Sequence, residues 1–279
     1  MTDRYGVIGN PVAHSKGPQI HAAFARQTGQ DLRYERILAP LGGFVEAVRA
    51  FRATGGRGLN VTLPFKIEAC AFAKELTDRA RDAGAVNTLS FDDGGGALGD
   101  NTDGAGLVAD ITLRLGVALA GRRVLVAGAG GAARGIVGPL LASHVAELVI
   151  VNRSPEAARV LAARHAQHAG VSGGAFGDLD DRGFDVVINA TSASLGGNTL
   201  PLPAPVFGRC VLAYDLVYAD QPTPFMRAAS ARGAAQVSDG LGMLVAQAAE
   251  SFLLWRGVRP DPLPVMAELR PGCAAIAPR

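Results

Sequence analysis

The feature that most constrains the fold of this chain is a strand, a glycine turn and a helix in unbroken succession from residue 123. The apolar β-type run Val124–Ala127 leads into Gly128-Ala-Gly130-Gly-Ala-Ala133, and a helical pattern continues to about Leu141. Such a unit presents backbone N–H groups and a helix N-terminus to a pyrophosphate. Gly128 permits the tight turn, Gly130 lets the backbone approach a phosphate, and Ala133 takes the third small-residue position. The next strand, Glu147–Val151, ends in Asn152-Arg153-Ser154. An acid at that place would accept from a ribose 2′-hydroxyl, and S-adenosylmethionine sites commonly carry one there too. This chain offers Arg153 instead, whose guanidinium can grip a 2′-phosphate through paired charge-assisted hydrogen bonds. NADP is therefore the expected nucleotide, and a solvated arginine at the start of a helix is the plain alternative.

At 279 residues the chain is too long for one ordinary core and fits two domains. A hydrophobic content of 48% with 19% charged residues excludes a disordered chain. The net charge of +2 comes from dispersed arginines with no basic block, so no nucleic-acid partner is expected. Cys70, Cys210 and Cys273 are odd in number and lack metal-ligand spacing; they read as reduced thiols, and no metal site is expected. The start, Met1 to Tyr5, has no apolar leader and no run is long enough to span a bilayer. The expectation is a cytoplasmic protein with no membrane partner.

Strand and helix patterns alternate throughout, which predicts an α/β class with mainly parallel sheets. Strands are expected at Tyr5–Ile8, Arg33–Leu38, Gly58–Val61 and Ala85–Ser90, and helices at Pro18–Thr28, Phe44–Thr54 and Leu76–Ala83. Asp92–Gly96 reads as a turn to a short strand, Ala97–Gly99. A helix over Gly104–Leu115 marks the crossing into the second domain. That domain carries strands at Val124, Leu148, Val171, Val186 and Val211 and a loop at Pro201–Pro205. Asp239 can cap a long helix, Leu241–Arg256, which the Pro-rich residues 260–264 end.

Beyond the nucleotide unit the chain resembles the shikimate dehydrogenases. The resemblance rests on Gly9-Asn-Pro-Val-Ala-His-Ser15-Lys, Asn60-Val-Thr62-Leu-Pro-Phe-Lys66, Gly84-Ala-Val-Asn87-Thr and Gly99-Asp-Asn-Thr-Asp103-Gly. Asn189-Ala-Thr191-Ser192, Tyr214-Asp-Leu-Val-Tyr218 and Asp239-Gly240-Leu-Gly-Met243-Leu-Val-Ala-Gln247 follow in the same order. It implies NADPH-dependent reduction of 3-dehydroshikimate to shikimate, a reversible step of aromatic amino-acid biosynthesis. It further implies a substrate-binding domain, residues 1–103, with the C-terminal helix of residues 240–279 packing back on it. Residues 104–239 would be a doubly wound Rossmann-like NADP domain, with the active site in the cleft between the two.

Residue by residue, the resemblance makes Lys66 and Asp103 the catalytic pair. Lys66 would give a proton to the ketone oxygen in reduction and take one in oxidation, or act by electrostatic stabilisation. A snorkelling surface lysine is the plain alternative. Asp103 would fix the ammonium and accept from a substrate hydroxyl. Ser15, Gly17, Asn60, Thr62, Asn87, Tyr218 and Gln247 are implied substrate contacts, of which Asn87 reads most readily as structural. Asp78, Gly128, Ala129, Gly130, Gly131, Ala132, Asn152, Arg153, Ser154, Thr191, Ser192, Leu216, Gly240 and Met243 are implied cofactor contacts. His14 and His21 have no partner in the pattern and read as structural.

Two positions depart from the family pattern. Gly17 replaces a second hydroxyl residue that would hold the substrate carboxylate, and on the sequence alone it widens that end of the pocket. Ala157 replaces a basic residue that would add grip on the 2′-phosphate, leaving Arg153 with Arg159 as a helper. A quinate- or aminoshikimate-directed relative, a catalytically silent nucleotide-binding regulator and a methyltransferase are the competing readings. The silent regulator is disfavoured because Lys66 and Asp103 are both present, and the methyltransferase because the acid after the second strand is missing. The expected ligand is a small molecule, shikimate or 3-dehydroshikimate, and the expected assembly a monomer or homodimer.

Overall fold

The computed structural model describes residues 2–92, 94–179 and 181–270, which leaves Cys273 and Asp93 of the Asp92–Gly96 turn outside the described residues. The chain forms two compact units, one of Met1–Leu107 with Leu244–Arg279 and the other of Val108–Met243.

The first unit opens with β1 (Asp3–Gly9), α1 (Gly17–Thr28), β2 (Leu32–Leu38), α2 (Phe44–Ala53), β3 (Gly56–Val61) and α3 (Lys66–Phe72). β4 (Glu75–Leu76), α4 (Asp78–Ala83), β5 (Thr88–Phe91), β6 (Ala97–Asp100) and the start of α5 (Asp103–Ala109) follow. Its sheet has the order β2-β1-β3-β5-β6-β4. β1 pairs in parallel with β2 and β3, but β5 runs antiparallel to β3 and β6, so this sheet is mixed rather than mainly parallel. The short turn at Asp92 accounts for the β5–β6 pairing, because such a turn can only join antiparallel neighbours. Behind the sheet, Phe44, Val48 and Phe65 pack on Leu59, Val86 and Leu89.

Several expected boundaries shift for local reasons. The helix expected from Leu76 starts at Asp78, because Thr77 caps it by accepting from the Ala80 N–H at 3.3 Å. Such a cap contributes about 1 kcal/mol. Leu76 is left to pair with β6. The regular ladder of β5 begins at Thr88 rather than Ala85, although the Asn87 backbone still bonds Asp100 and Val61 at 3.0 and 2.7 Å. α5 widens after Ala109 into one turn of π-helix, Asp110–Arg114.

The second unit contains β7 (Arg123–Ala127), α6 (Gly131–Ala142), β8 (Glu147–Val151), α7 (Pro155–Ala163), β9 (Val171–Gly174), β10 (Val186–Asn189), β11 (Leu212–Asp215), α8 (Pro224–Ala231) and β12 (Val237–Ser238). All strands are parallel, in the order β12-β11-β10-β7-β8-β9. The reversal of strand order falls beside β7, the place where open α/β sheets bind ligands. Leu125, Val149, Val187, Phe184, Phe207 and Phe225 fill one face. Leu200 and Leu202 join that core, so the Pro201–Pro205 stretch serves packing and ends in a tight helical turn at Ala204–Phe207.

α9 (Leu241–Arg256) carries the chain back into the first unit and α10 (Pro262–Leu269) closes it. α9 stops at Gly257 (φ 69°) before the prolines are reached. Asp261 and Pro262 instead start α10, with Asp261 accepting from the Leu263 N–H at 3.0 Å.

Candidate active site

In the first unit the ends of β3, β5 and β6 bring Lys66, Asn87 and Asp103 together. Lys66 is the first residue of α3 and Asp103 the first of α5. A carboxylate at a helix N-terminus is favoured by the partial positive charge there. Lys66 Nζ donates to Asp103 Oδ2 at 2.5 Å, with only 15% and 5% of the two side chains exposed. The other carboxylate oxygen, Oδ1, accepts from Asn87 Nδ2 at 2.9 Å. Asn87 Nδ2 also lies 2.8 Å from Thr102 Oγ1 and 3.0 Å from Gln247 Oε1. Its own Oδ1 accepts from the Thr102 backbone N–H at 2.8 Å, which fixes the amide orientation. Asn87 is thus the hub of the array rather than a turn residue.

Asn60 has every amide position in use. Its Oδ1 accepts from Tyr34 Oη at 2.8 Å and faces His21 Nε2 at 3.2 Å. Its Nδ2 donates to Ser251 Oγ at 2.8 Å and Thr88 Oγ1 at 3.1 Å. His21 is therefore partnered, contrary to the expectation from sequence, and stacks on Tyr34 with ring centroids 4.2 Å apart. Burial pulls its pKa down to about 3, against a smaller upward effect of the Asn60 hydrogen bond. A ring that stays neutral and closed in by aromatic side chains does not serve as a base near neutrality.

Gly17 does not widen the pocket. A Cβ at that position would lie 2.9 Å from Tyr34 Cε1 and 3.2 Å from Ser15 Oγ, so the tyrosine ring already occupies the space. The Gly17 N–H donates to Ser15 Oγ at 3.2 Å, which leaves the serine proton available. Arg36 holds the Ser15 carbonyl through Nε and Nη2 at 2.9 and 2.6 Å. Thr62 stands half-buried just after β3, its N–H on the Ile8 carbonyl at 2.9 Å. His14 is exposed.

The second unit gathers most of the cofactor candidates at the C-terminal ends of its strands. Gly128, after β7, has φ 118°, and a Cβ there would come within 3.0 Å of the Ala190 backbone. Only glycine accepts both conditions without strain. Gly130 is the N-cap of α6 with no side-chain cap, and a Cβ there would point into open space. With Gly131 and Ala132 it leaves the first N–H groups of α6 open to an anion. Asn152, Arg153 and Ser154 follow β8; Arg153 is exposed, and Asn152 Nδ2 donates to the Ser154 carbonyl at 3.1 Å. No acid stands among these three. Arg159 has Glu156 at 3.9 Å on its own helix. The donor set therefore fits a nucleotide with a 2′-phosphate.

Thr191 and Ser192 lie on the loop after β10, where Thr191 Oγ1 donates to Asn189 Oδ1 at 2.7 Å. Leu216 and the half-buried Tyr218 follow β11, and a Cβ on Gly240 would strike the Leu216 carbonyl at 2.2 Å. Met243 N donates to Tyr214 Oη at 3.2 Å. Asp78, the first residue of α4, belongs to the first unit, where it is fully exposed and paired with Arg81 at 2.6 Å.

Sequence reasoning passed over three residues that organise these sites. Asp215 is buried, and its carboxylate accepts from Ser194 and Thr223 hydroxyls at 2.6 Å each. Burial pushes its pKa up against those hydrogen bonds. Thr102 and Ser251 complete the Asn87 array. Ser251 lies four residues after Gln247 on α9, a spacing that puts two polar side chains on one face of an apolar helix, and this was the legible signal.

Comparison with known proteins follows the same division. The family model for the shikimate dehydrogenase substrate binding domain matches residues 7–89, that for shikimate / quinate 5-dehydrogenase residues 110–196, and that for the shikimate 5′-dehydrogenase C-terminal domain residues 240–270. A shikimate dehydrogenase (NADP(+)) from Nitrosospira multiformis is 58% identical over 97% of this chain and 98% of its own. The chain belongs to the NADP-dependent shikimate dehydrogenase family. A relative of the same description from Dechloromonas aromatica is 57% identical over 97% of this chain and 98% of its own. The crystal structure of shikimate 5-dehydrogenase from Thermus thermophilus in complex with NADP(H) and shikimate superimposes with a TM-score of 0.84 at 34% identity, covering 97% of this chain and 99% of that one. An Ael1 enzyme from Pseudomonas putida superimposes with a TM-score of 0.89 at 46% identity, covering 96% of this chain and 98% of that one.

Proposed function

We propose that this chain reduces 3-dehydroshikimate to shikimate with NADPH, reversibly, as a step of aromatic amino-acid biosynthesis, and that Lys66 and Asp103 manage the proton. The observation that supports this assignment of roles is the 2.5 Å contact between Lys66 Nζ and Asp103 Oδ2 at the heads of two helices. NADP(H), when bound, supplies the hydride. Lys66 has three N–H bonds and spends one on Asp103, so others remain for a ketone oxygen that is gaining negative charge. In the forward direction Lys66 gives that oxygen a proton, and in the reverse direction it takes the hydroxyl proton back. Asp103 holds the ammonium in place and offers its free lone pairs to a neighbouring substrate hydroxyl.

The remaining contacts divide by what their atoms still offer. Ser15 and Thr62 have hydroxyl protons to give, and Gln247 donates one Nε2 hydrogen to the Leu244 carbonyl at 2.8 Å and keeps the other. Asn60 has no amide position left and acts as a holder; Asn87 orients Asp103 and Gln247. Tyr218, in the second unit, is a substrate contact on the family pattern alone. Arg153 and the α6 N-terminus would take the 2′-phosphate and the pyrophosphate, and Asp78 has no support beyond the family pattern. The first unit serves as the substrate domain and the second as the NADP domain. The protein acts on a small molecule as a monomer or homodimer in the cytoplasm, without a nucleic-acid or membrane partner. Among the described residues no helix is long and apolar enough to cross a membrane.

The test is initial-rate reduction of NADP+ with shikimate, beside quinate and beside NAD+, for the wild type and Lys66→Ala. Turnover confined to shikimate and NADP+, falling about 10²- to 10⁴-fold in the variant, is the expected result. Preference for quinate or NAD+ would overturn the substrate and cofactor reading, and undiminished turnover in Lys66→Ala would overturn its role.

A further inference from the structure

Behind the Lys66–Asp103 pair runs a continuous line of buried side-chain hydrogen bonds that ends on the Asp103 carboxylate. Asn60 Nδ2 can only donate, so Ser251 Oγ, at 2.8 Å, is its acceptor. Ser251 Oγ lies 2.8 Å from Thr88 Oγ1. Thr88 Oγ1 in turn donates to Asn87 Oδ1 at 2.9 Å and accepts from Asn60 Nδ2 at 3.1 Å, while Ser251 shares its one proton between Thr88 and the Gln247 carbonyl. Asn87 Nδ2 then donates to Asp103 Oδ1 at 2.9 Å. At the far end Tyr34 Oη donates to Asn60 Oδ1 at 2.8 Å. From Tyr34 through Asn60, Thr88 and Asn87, each of these bonds points its hydrogen toward the carboxylate. Bonds in such a line polarise one another, and a buried line of this kind has one favourable arrangement.

Resting on the assignment of Lys66 and Asp103 as the catalytic pair, we propose that Thr88 and Ser251 are positioning residues that lock the Asn87 amide and, through it, the seat of the Asp103 carboxylate on Lys66. Both side chains are fully buried. Ser251 comes from α9 and Thr88 from β5, so the line also ties the C-terminal helix to the strand that presents Asn87. Ser251 has a second tie on each side: its hydroxyl lies 3.3 Å from Thr102 Oγ1 and 3.2 Å from the Gln247 carbonyl. Removing the Thr88 hydroxyl takes one hydrogen bond from Asn87 Oδ1 and leaves that atom with the Thr102 N–H at 2.8 Å and the Thr102 hydroxyl at 3.2 Å. The Asn87 amide that donates to Asp103 Oδ1 is then held less tightly, and the loss falls on the proton-transfer step rather than on the binding of either ligand.

The experiment compares Thr88→Val, which keeps the shape, Thr88→Ser, which returns the hydroxyl, and Ser251→Ala and Ser251→Cys, which remove or weaken the link. Steady-state kcat and KM for shikimate and for NADP+ are measured beside thermal unfolding, well below each variant's midpoint. Thr88→Val and Ser251→Ala are expected to lower kcat about five- to twenty-fold with KM for NADP+ unchanged. Thr88→Ser should restore kcat to within about two-fold and Ser251→Cys should fall between, keeping the line testable if the alanine variant does not fold. An unchanged kcat in folded Thr88→Val, whatever its melting temperature, overturns the proposal. Lys66→Ala run in parallel separates the two readings: if it retains wild-type turnover, the pair itself is misassigned, and if it loses turnover while Thr88→Val does not, only the line behind it is wrong.

Discussion

His21 makes the first unit acid-labile by a calculable amount. The ring is 1% exposed, and its pKa of about 3 in the folded chain stands against 6.5 for a free imidazole. Because the folded value is the lower one, the unfolded chain takes up the proton first as pH falls. Stability is therefore full above pH 6.5, declines as pH drops below it, and stops declining near pH 3. Linkage between those two values gives a loss of about 2 kcal/mol by pH 5 and roughly 4 kcal/mol by pH 3. Against a total of about 5–15 kcal/mol for a typical protein, the loss by pH 5 is already large. Trp255 is the sole tryptophan, and its ring centroid lies 5.4 Å from that of His21, so its fluorescence reports unfolding of this unit. Urea titrations of the wild type and His21→Phe at pH 7 and pH 5 isolate the contribution. Phenylalanine keeps the stack on Tyr34 and cannot titrate. The wild type should lose about 2 kcal/mol more than the variant between the two pH values. Parallel losses in both proteins would refute the reasoning, because they would show that the imidazole is protonated without unfolding.

Replacing Arg153 with Ala should lower kcat/KM for NADP+ about ten- to a hundred-fold and leave NAD+ nearly unchanged, since only the former carries the 2′-phosphate. Equal effects on both nucleotides would remove Arg153 from cofactor choice. Gly17→Ala puts a Cβ 2.9 Å from Tyr34 Cε1 and 3.2 Å from Ser15 Oγ, which displaces the serine hydroxyl, so KM for shikimate should rise several-fold. An unchanged KM would mean that the ring yields without disturbing Ser15 or Asn60.

The nucleotide unit was readable because its rule is local: Gly128 needs its positive φ and Gly130 its missing side chain whatever else the chain does. The first unit was harder, since β5 joins the sheet antiparallel and nothing in Thr88–Phe91 itself announces direction. Lys66 could be singled out from its motif, but not that it begins a helix, because Leu63-Pro64 ahead of it reads as an extended stretch. Gly17 misleads for a related reason. Its effect depends on Tyr34, seventeen residues away on β2, and no local pattern reveals which side chain fills a space. Asn60 and Asn87 look alike as polar residues near strands; their difference lies entirely in which of their neighbours donate.

That difference bears on how the site works. A small ligand bearing a carboxylate and hydroxyls needs many polar partners, and each such partner left unpaired in a buried place costs stability before the ligand arrives. The chain meets both demands by separating the two tasks. Asn60, Asn87, Thr88, Thr102 and Ser251 satisfy one another, so the buried layer stays complete with or without ligand. Among the described residues around this layer, Ser15, Thr62, Lys66, Asp103 and Gln247 retain unspent hydrogens or lone pairs. Those few groups are anchored by the layer behind them or, for Ser15, by the Arg36 grip on its carbonyl. Reorganisation at the moment of proton transfer is thereby small, which is the condition under which fixed dipoles and charges stabilise a developing oxyanion most. Mutations in the inner layer should therefore act on rate, and mutations in the outer set on both rate and affinity.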